Sequence, residues 1–315
     1  MQNKNTLRLI LGDQLNINHS WFKTVNDNVT YVMMEVRTET DYANHHIQKV
    51  VGFFSAMRSF VAELQSKKHK VIYIYLTDAN NLQSFEKNLD LLLNQGNFTR
   101  FEYQLPDEYR LDILLKNYCA QLKIPHSVYD TEHFFSTREE LGNFFEGKKM
   151  FLMESFYRAM RKKHNVLMDG DKPTTGQWNY DGDNRKKLPK DHKATTPLVF
   201  NNDVTEIFDQ IQKANVKTIG SIDAKHFVWP INRTQSLALL DFFVAECLPL
   251  FGSYQDAMTP NEWSLYHSRI SFSMNVKMIS PKEVIDRAVQ EWENRKDEIE
   301  YNQLEGFVRQ IIGWR

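Results

Sequence analysis

The chain has 315 residues and a formal net charge of −1, with 42% hydrophobic and 25% charged side chains. This length is enough for about two domains, and the composition is that of a soluble globular protein rather than a disordered one. Because the chain is nearly neutral, any nucleic-acid surface must be a local basic patch and not a global field.

The cysteine count restricts the compartment and the kinds of metal site. The two cysteines, Cys119 and Cys247, lie on apolar stretches and neither has a CxxC neighbour. This excludes a disulfide framework and a self-contained four-cysteine metal site, and it favours buried thiols in a reducing compartment. The amino terminus lacks a signal-peptide pattern, and no window has ~18 uninterrupted apolar residues. We therefore expect a cytoplasmic protein with no membrane span.

The first 130 or so residues alternate between strand and helix patterns. Strands are predicted over residues 6–11, 30–36, 70–76, 100–103 and 127–129, and helices over residues 42–65, 81–94 and 106–122. The run Lys70–Leu76 is continuously apolar and β-branched, as in parallel strands that are covered on both faces. The alternation predicts an α/β fold with a doubly wound, Rossmann-like parallel sheet.

Beyond residue 130 the strand pattern disappears. Helices are predicted over residues 138–145, 150–168, 203–212, 234–251, 281–292 and 303–315. We expect an α/β domain over residues 1–134, a helical connector with a long basic loop over residues 135–230, and part of an all-α domain over residues 231–315.

Two carboxylates follow the first two predicted strands. Gly12, Asp13 and Gln14 follow the first, and Glu39 follows the second. Because ligands bind at the carboxyl ends of such strands, Asp13 and Glu39 should meet at that edge. The chain has neither GxGxxG nor a Walker loop, and two carboxylates suit a ring with N–H or hydroxyl donors better than a phosphate. The alternative for Asp13 is a turn or a helix cap.

Two later segments carry groups that suit phosphates. The loop Asp169–Pro197 sets Arg185, Lys186 and Lys187 beside aromatic residues, which favours phosphates and unstacked bases; the alternative is a solvated basic loop. The stretch Phe251–Val284 combines hydroxyls, Arg269 and helix starts, which suits a pyrophosphate; the alternative is an ordinary capped helix junction.

Several segments, taken in their order along the chain, resemble one family. They read LILGDQL, MEVRTETDYANHHIQKV, AMRSF, MESFYRAMRKKHNVLMD, GQWNYDGDNRKKLP, FGSYQDAM, HSRIS and FVRQIIGWR. In order and spacing they resemble the bacterial photolyase-related proteins, which are the iron–sulfur cryptochromes and (6-4) photolyases of the photolyase/cryptochrome superfamily.

The resemblance implies a light-dependent DNA repair flavoprotein. Such a protein splits pyrimidine photoproducts in damaged DNA by electron transfer from reduced FAD. It carries a 6,7-dimethyl-8-ribityllumazine antenna in the α/β domain, and FAD and a four-iron four-sulfur cluster in the helical domain. Two alternatives are a blue-light signalling cryptochrome and a non-enzymatic remnant that binds the antenna chromophore alone.

The resemblance also implies roles for individual residues, with no catalytic side chain and no metal ligand among them. The antenna would contact Gly12, Asp13, Gln14, Glu39 and Phe53. DNA would contact Arg161, Arg185, Lys186 and Lys187. FAD would contact Tyr254, His267, Ser268, Arg269, Ile270, Ser271, Asn275, Gln310, Trp314 and Arg315.

The chain departs from the family pattern in two ways. The family continues past the GWR motif, so we expect a truncated member whose partners include a missing carboxyl-terminal half. With Cys119 and Cys247 alone the cluster cannot form, and the last helix should expose an apolar face of Phe307, Ile311, Ile312 and Trp314. In addition, Lys277 stands where the pattern has glycine, and it should obstruct a close backbone approach or a positive φ.

Overall fold

A computed structural model describes residues 5–314, which form two compact units. The first unit comprises the described residues up to Glu132 together with Val199–Gln235 and Asn275–Met278. The second comprises His133–Leu198, Ser236–Met274 and the described residues from Ile279 onward. The predicted boundaries at residues 134 and 230 stay a prediction, although Val199–Gln235 packs with the first unit.

The first unit is built on a five-stranded, fully parallel sheet, as the alternating pattern predicts. The order is β4-β2-β1-β5-β6, and two pairs of very short strands, β3 with β9 and β7 with β8, lie outside it. The strands are β1 (Asn5–Leu9), β2 (Val29–Met34), β3 (His45–His46), β4 (Lys70–Ile74), β5 (Phe98–Gln104), β6 (His126–Tyr129), β7 (Met168–Asp169), β8 (Lys172–Pro173) and β9 (Thr218–Ile219). Sheet and helices together confirm the α/β fold followed by a helical part.

Each helix predicted from the sequence has a counterpart within about five residues, and two short helices, Arg37–Thr40 and Ser271–Asn275, were not predicted. The helices are α1 (Arg37–Thr40), α2 (Ile47–Ser66), α3 (Phe85–Gln95), α4 (Tyr109–Gln121), α5 (Glu140–Phe145), α6 (Met153–His164), α7 (Thr205–Lys213), α8 (Arg233–Phe242), α9 (Leu248–Tyr254), α10 (Ser271–Asn275), α11 (Pro281–Asn294) and α12 (Tyr301–Ile312). A 3-10 turn at Ser20–Phe22 precedes β2, and a π-helical turn at Phe243–Cys247 joins α8 to α9.

A buried ion pair holds the carboxyl end of the sheet in the first unit. Glu35, which follows β2 and is fully buried, accepts two hydrogen bonds from Arg58 at 2.7 and 3.0 Å. The Tyr73 hydroxyl donates to the same carboxylate at 2.6 Å. Because every polar atom of this group is paired, the end of β2 is rigid where the chain turns into the next loop.

The second unit is organised by the packing of α9 on α12. A Cβ added to Gly252 would lie 2.6 Å from Asn184 Oδ1, and one added to Gly306 would lie 3.0 Å from Asn184 Nδ2. The two glycines therefore leave room for the Asn184 side chain. Phe251 meets Phe307 edge-on, with ring centroids 5.4 Å apart.

The expected apolar face of the last helix is mostly covered. Phe307, Ile311 and Ile312 are only 2%, 6% and 3% exposed, because packing within the second unit buries them. The prediction of an exposed stripe was wrong for these three residues and holds for Trp314, which is 66% exposed.

One helical segment passes a length-and-composition test for a membrane span. It is Arg233–Tyr254, and 56% of its most apolar window is buried inside the structure. That burial is typical of a core helix, which passes the same test.

His19 makes the first unit sensitive to acid. Its ring is fully buried; Nδ1 accepts from Trp21 N–H at 3.0 Å and Nε2 lies 2.9 Å from the Asp130 carbonyl oxygen. These partners fix the neutral form with the proton on Nε2. Burial accordingly lowers the pKa of His19 below its usual 6.5.

We expect the first unit to lose stability as the pH falls from 7 to 5. In this range the unfolded chain takes up a proton at His19 that the folded chain excludes, so up to about 1.4 kcal/mol is lost per pH unit. Burial also lowers the pKa of His45 and His69, which adds to the effect. Urea unfolding of the wild type and His19→Asn measures it. The variant keeps a cap acceptor for Trp21 N–H and should show a shallower pH dependence; an equal slope would contradict the assignment.

Candidate ligand-binding site

A cavity of about 190 Å³ lies in the first unit, at the carboxyl edge of the sheet. β1 is hydrogen-bonded to β2 on one side and to β5 on the other, so the winding of the sheet reverses there. Ligands of such sheets bind at this reversal. The wall is formed by Leu11, Gly12, Asp13, Met34, Val36, Glu39, Thr40, Tyr42, His45, Lys49, Val50, Phe53, Phe54, Met57, Phe85, Glu108, Arg110 and Leu111.

The floor of the cavity is apolar and aromatic. Phe53 and Met57 lie one turn apart on α2, on the side that faces the loop after β1. A Cβ on Gly12 would lie 3.0 Å from Met57 Sδ and 3.6 Å from Phe53 Cδ1. Gly12 therefore lets the loop approach α2 closely, which gives the cavity one flat, apolar side.

Glu39 forms the best-defined polar part of the wall. Arg110 donates to its two carboxylate oxygens at 2.9 and 2.8 Å, and the same guanidinium lies 4.4 Å from the Tyr42 ring centroid. Glu108 makes a further ion pair with Arg110 at 3.1 Å. Arg110 Nε is buried and finds no acceptor among the described residues.

Asp13 also lines the cavity and is also paired. Lys277 Nζ lies 2.8 Å from the Asp13 carbonyl oxygen, 3.5 Å from its Oδ2 and 2.6 Å from Asp107 Oδ2. Lys277 was expected to obstruct a positive φ; it adopts one, at 64°. The obstruction was wrongly predicted because the buried ion pair stabilises the lysine in that conformation.

Gln14 braces the loop instead of lining the cavity. Its side chain is buried, accepts from Leu11 N–H at 3.0 Å and donates to the carbonyl oxygens of Gln104 and Leu105 at 3.2 and 3.3 Å. The side chain of Gln14 therefore has a structural role, and a contact of Gln14 with the antenna stays a prediction. The other four predicted residues, Gly12, Asp13, Glu39 and Phe53, all reach the cavity wall.

In the second unit, the expected phosphate segment uses much of its polar capacity internally. Arg269 Nη2 donates to the Leu198 carbonyl oxygen at 2.7 Å, and its guanidinium lies 5.0 Å from the Trp263 ring centroid. Burial lowers the pKa of Arg269. The start of α11 is closed by a capping box, in which Ser280 and Glu283 satisfy each other's backbone N–H groups. The capped-junction alternative is thus correct for α11.

The remaining predicted FAD residues differ in accessibility. Ile270 is fully buried, and its contact with FAD stays a prediction. Tyr254 is half-buried and stacks on Tyr266, with centroids 5.7 Å apart. Ser268 is half-buried, whereas His267, Ser271, Gln310 and Trp314 are exposed. Asn275 belongs to the first unit and not to the second. Arg315 lies outside the described residues.

The predicted DNA contacts separate into exposed and buried residues. Lys186 and Lys187 are exposed, and Arg185 is 57% exposed while paired with Asp256 at 3.1 Å. Arg161 is fully buried and donates to the carbonyl oxygens of Val166, Leu167 and Trp178. Arg161 orders the loop instead of facing solvent, so its predicted contact with DNA is corrected.

Both cysteines are poor nucleophiles and poor metal ligands as they stand. Each is buried, and burial raises the pKa of Cys119 and of Cys247 to about 11. Neutral thiols of this kind are inert.

These features define the class: an α/β unit with a cavity of about 190 Å³ at its carboxyl edge, in one chain with a helical unit. A family described as deoxyribodipyrimidine photo-lyase-related protein matches residues 8–227. The chain belongs to this family.

The chain is also similar to individual proteins. The chain is 32% identical over 312 residues to a (6-4) photolyase of Agrobacterium fabrum, which covers 98% of this chain and 61% of the relative. It is 26% identical over 156 residues to an uncharacterized protein of Acanthamoeba polyphaga mimivirus, which covers 47% of this chain and 75% of that protein. The chain thus spans about three fifths of the length of the photolyase that it matches.

The fold also matches a solved structure. The crystal structure of a bacterial class III photolyase from Agrobacterium tumefaciens aligns with a TM-score of 0.56 and 12% identity. The alignment covers 99% of this chain and 57% of that one, and at this identity it shows the fold alone.

Proposed function

We propose that the chain serves a light-dependent, (6-4) photolyase-like DNA repair flavoprotein. Its first unit would bind an antenna heterocycle, 6,7-dimethyl-8-ribityllumazine, in the cavity. Its second unit would supply part of the flavin-binding surface and a basic loop for damaged DNA. The support is membership of the photo-lyase-related family together with the chemistry of the cavity.

One observation carries the antenna part of the proposal. Asp13, Glu39 and Phe53 come from a loop after β1, from α1 after β2 and from α2, and all three line one cavity. Phe53 offers an aromatic face, Glu39 and Asp13 accept hydrogen bonds, and the buried Arg110 Nε is a donor without an acceptor among the described residues. A flat ring with N–H and carbonyl groups and a hydroxylated chain satisfies this set.

The flavin part rests on fewer groups. In the second unit, Tyr254, Ser268 and Arg269 keep partly exposed surface, with His267 and Ser271 beside them. Hydroxyls and a guanidinium are suitable partners for a pyrophosphate. Bound FAD would supply the light-driven electron transfer, whereas these side chains would position it.

The DNA part rests on the loop around Arg185. Arg185, Lys186 and Lys187 are consecutive and exposed, and Asn184 beneath them is held between Gly252 and Gly306. A basic loop with a fixed base can hold the phosphates on either side of an unstacked lesion.

The antenna proposal is tested by fluorescence titration of the purified chain with 6,7-dimethyl-8-ribityllumazine. We expect saturable binding at one site per chain. Absence of saturable binding would overturn the proposal. Repair is tested by illuminating (6-4)-containing oligonucleotides with the chain, FAD and, supplied in trans, the part of the Agrobacterium fabrum relative outside the match. Lesions that persist with all components bound would contradict the repair assignment.

We expect the chain alone to bind FAD weakly or not at all. Arg269 is already bonded to Leu198, and the α11 amino terminus is already capped, so few donors remain for the phosphates. The measurement is flavin absorbance after gel filtration of the chain with excess FAD. Stoichiometric flavin in the protein peak would contradict this expectation.

A further inference from the structure

Lys277 lies behind the cavity wall. Its side chain is only 1% exposed, and it contacts the wall through Asp13, a lining residue, and Asp107, which is not. It therefore joins the loop after β1 to the loop before α4, across the point where the sheet reverses.

Hydrogen bonds hold the backbone on both sides of Lys277, which restricts where its ammonium can lie. Val276, just before it, accepts a backbone hydrogen bond from Leu15 N–H at 3.0 Å. Met278, just after it, accepts from Arg233 Nη1 at 2.8 Å. The ammonium has three N–H donors and three oxygens within 3.5 Å, so little freedom is left for it to turn away.

Two carboxylates share this one ammonium. Burial raises the pKa of Asp13, the Lys277 charge opposes the rise, and Asp107 adds to it. Lys277 thus supplies the positive charge that favours the ionised form of Asp13 and reduces its field toward the cavity.

We propose that Lys277 determines which ligands the cavity accepts: by pairing Asp13 from behind, it makes the cavity select an uncharged heterocycle with N–H or hydroxyl donors over a cationic one. The inference rests on the proposed function, since it takes the cavity to be a heterocycle site. An ionised, paired carboxylate still accepts hydrogen bonds, but it offers a cation little net attraction.

The second acceptor of the cavity wall is also paired with a cation. Glu39 is paired with Arg110 in the same way, so neither acceptor of the cavity presents a bare charge. The charged or titratable groups around Asp13 are Lys277 and Asp107 behind it, and Glu39, Tyr42, His45, Lys49, Glu108 and Arg110 around the cavity wall.

The decisive variant is Lys277→Gly, because glycine adopts φ 64° without strain and the change removes the ammonium together with its buried side-chain stem. The probes are 6,7-dimethyl-8-ribityllumazine, which is neutral, and proflavine, a flat cation. We expect the ratio of lumazine to proflavine affinity to fall at least tenfold at pH 7, a change of about one decade in relative binding. Lumazine binding should also become weaker at lower pH, as Asp13 takes up a proton.

A second variant should change the ratio of lumazine to proflavine affinity in the opposite direction. Asp107→Asn removes the second negative charge beside Lys277, so the affinity ratio should rise and the pKa of Asp13, followed by carboxyl carbon-13 NMR, should fall. In Lys277→Gly the midpoint of the pH titration of the same carbon-13 signal should move to higher pH. A merely structural lysine would change stability without moving either quantity.

The outcomes separate the two claims. If the wild type binds neither probe, the proposed function fails and the selection fails with it. If the wild type binds lumazine and both variants keep its affinity ratio and Asp13 titration, the inference alone is overturned.

Discussion

Glu305→Ala should destabilise the second unit by about 3–5 kcal/mol, the cost of removing one partner from a buried ionic network. The Glu305 carboxylate is fully buried and accepts from Tyr157 Oη at 2.9 Å and from Arg309 Nη2 at 3.0 Å. It also accepts from Tyr180 N–H at 3.3 Å. Alanine leaves the tyrosine hydroxyl and part of the guanidinium buried without this acceptor.

The same change should loosen the basic loop. Arg309 pairs with Asp181 at 3.0 Å, so the network joins α6 and α12 to the segment that carries Arg185. Urea unfolding followed by circular dichroism measures stability, and limited trypsin digestion at Lys186 and Lys187 measures the loop. Glu293→Ala, on an exposed position of α11, is the matched control and should stay within about 0.5 kcal/mol of the wild type. Equal midpoints for the two variants would refute the role of the network.

The double change Asp13→Asn with Glu39→Gln should reduce lumazine affinity by about a hundredfold or more. Each carboxylate is expected to accept a charge-assisted hydrogen bond worth about 1.5–3 kcal/mol, and the amides keep the size of the side chains while removing that charge. Fluorescence titration gives the affinities. Unchanged affinity would remove Asp13 and Glu39 from the site.

Glu108→Gln is the control for that experiment. Glu108 lines the same cavity and pairs with the same Arg110, but its carboxylate is 46% exposed and Arg110 keeps its two bonds to Glu39. If Glu108→Gln lost as much lumazine affinity as the double variant, any change of charge on this wall would weaken binding, and the effect would not be specific to Asp13 and Glu39.

The sheet and the cavity edge were predictable because local rules govern them. Periodicity indicates the parallel strands, and the carboxyl ends of parallel strands meet, so Asp13 and Glu39 could be paired from sequence. Arg110 was missed, although its position just after β5 is a signal of the same kind. Lys277 had no such signal, since it lies 264 residues from Asp13 and lysines are seldom buried.

The errors in the helical part have one physical source. Helical spacing shows which side chains share a face, but it does not show what covers that face. Arg161 of α6 was expected to contact DNA, yet the loop that follows folds back and takes up its donors. In α12, Phe307 was expected to be bare, yet Phe251 and Phe243 pack against it.

The four residues Asn275–Met278 are the last part of the first unit to be synthesised. The last stretch of this unit is made only after Met274, long after Glu132 has been translated. At about 5–20 residues per second, roughly 7–30 seconds separate these two points. Through that interval Asp13 and Asp107 have both been translated, whereas Lys277, the ammonium that pairs with them, has not. Folding on the ribosome therefore cannot finish the first unit before most of the second has emerged.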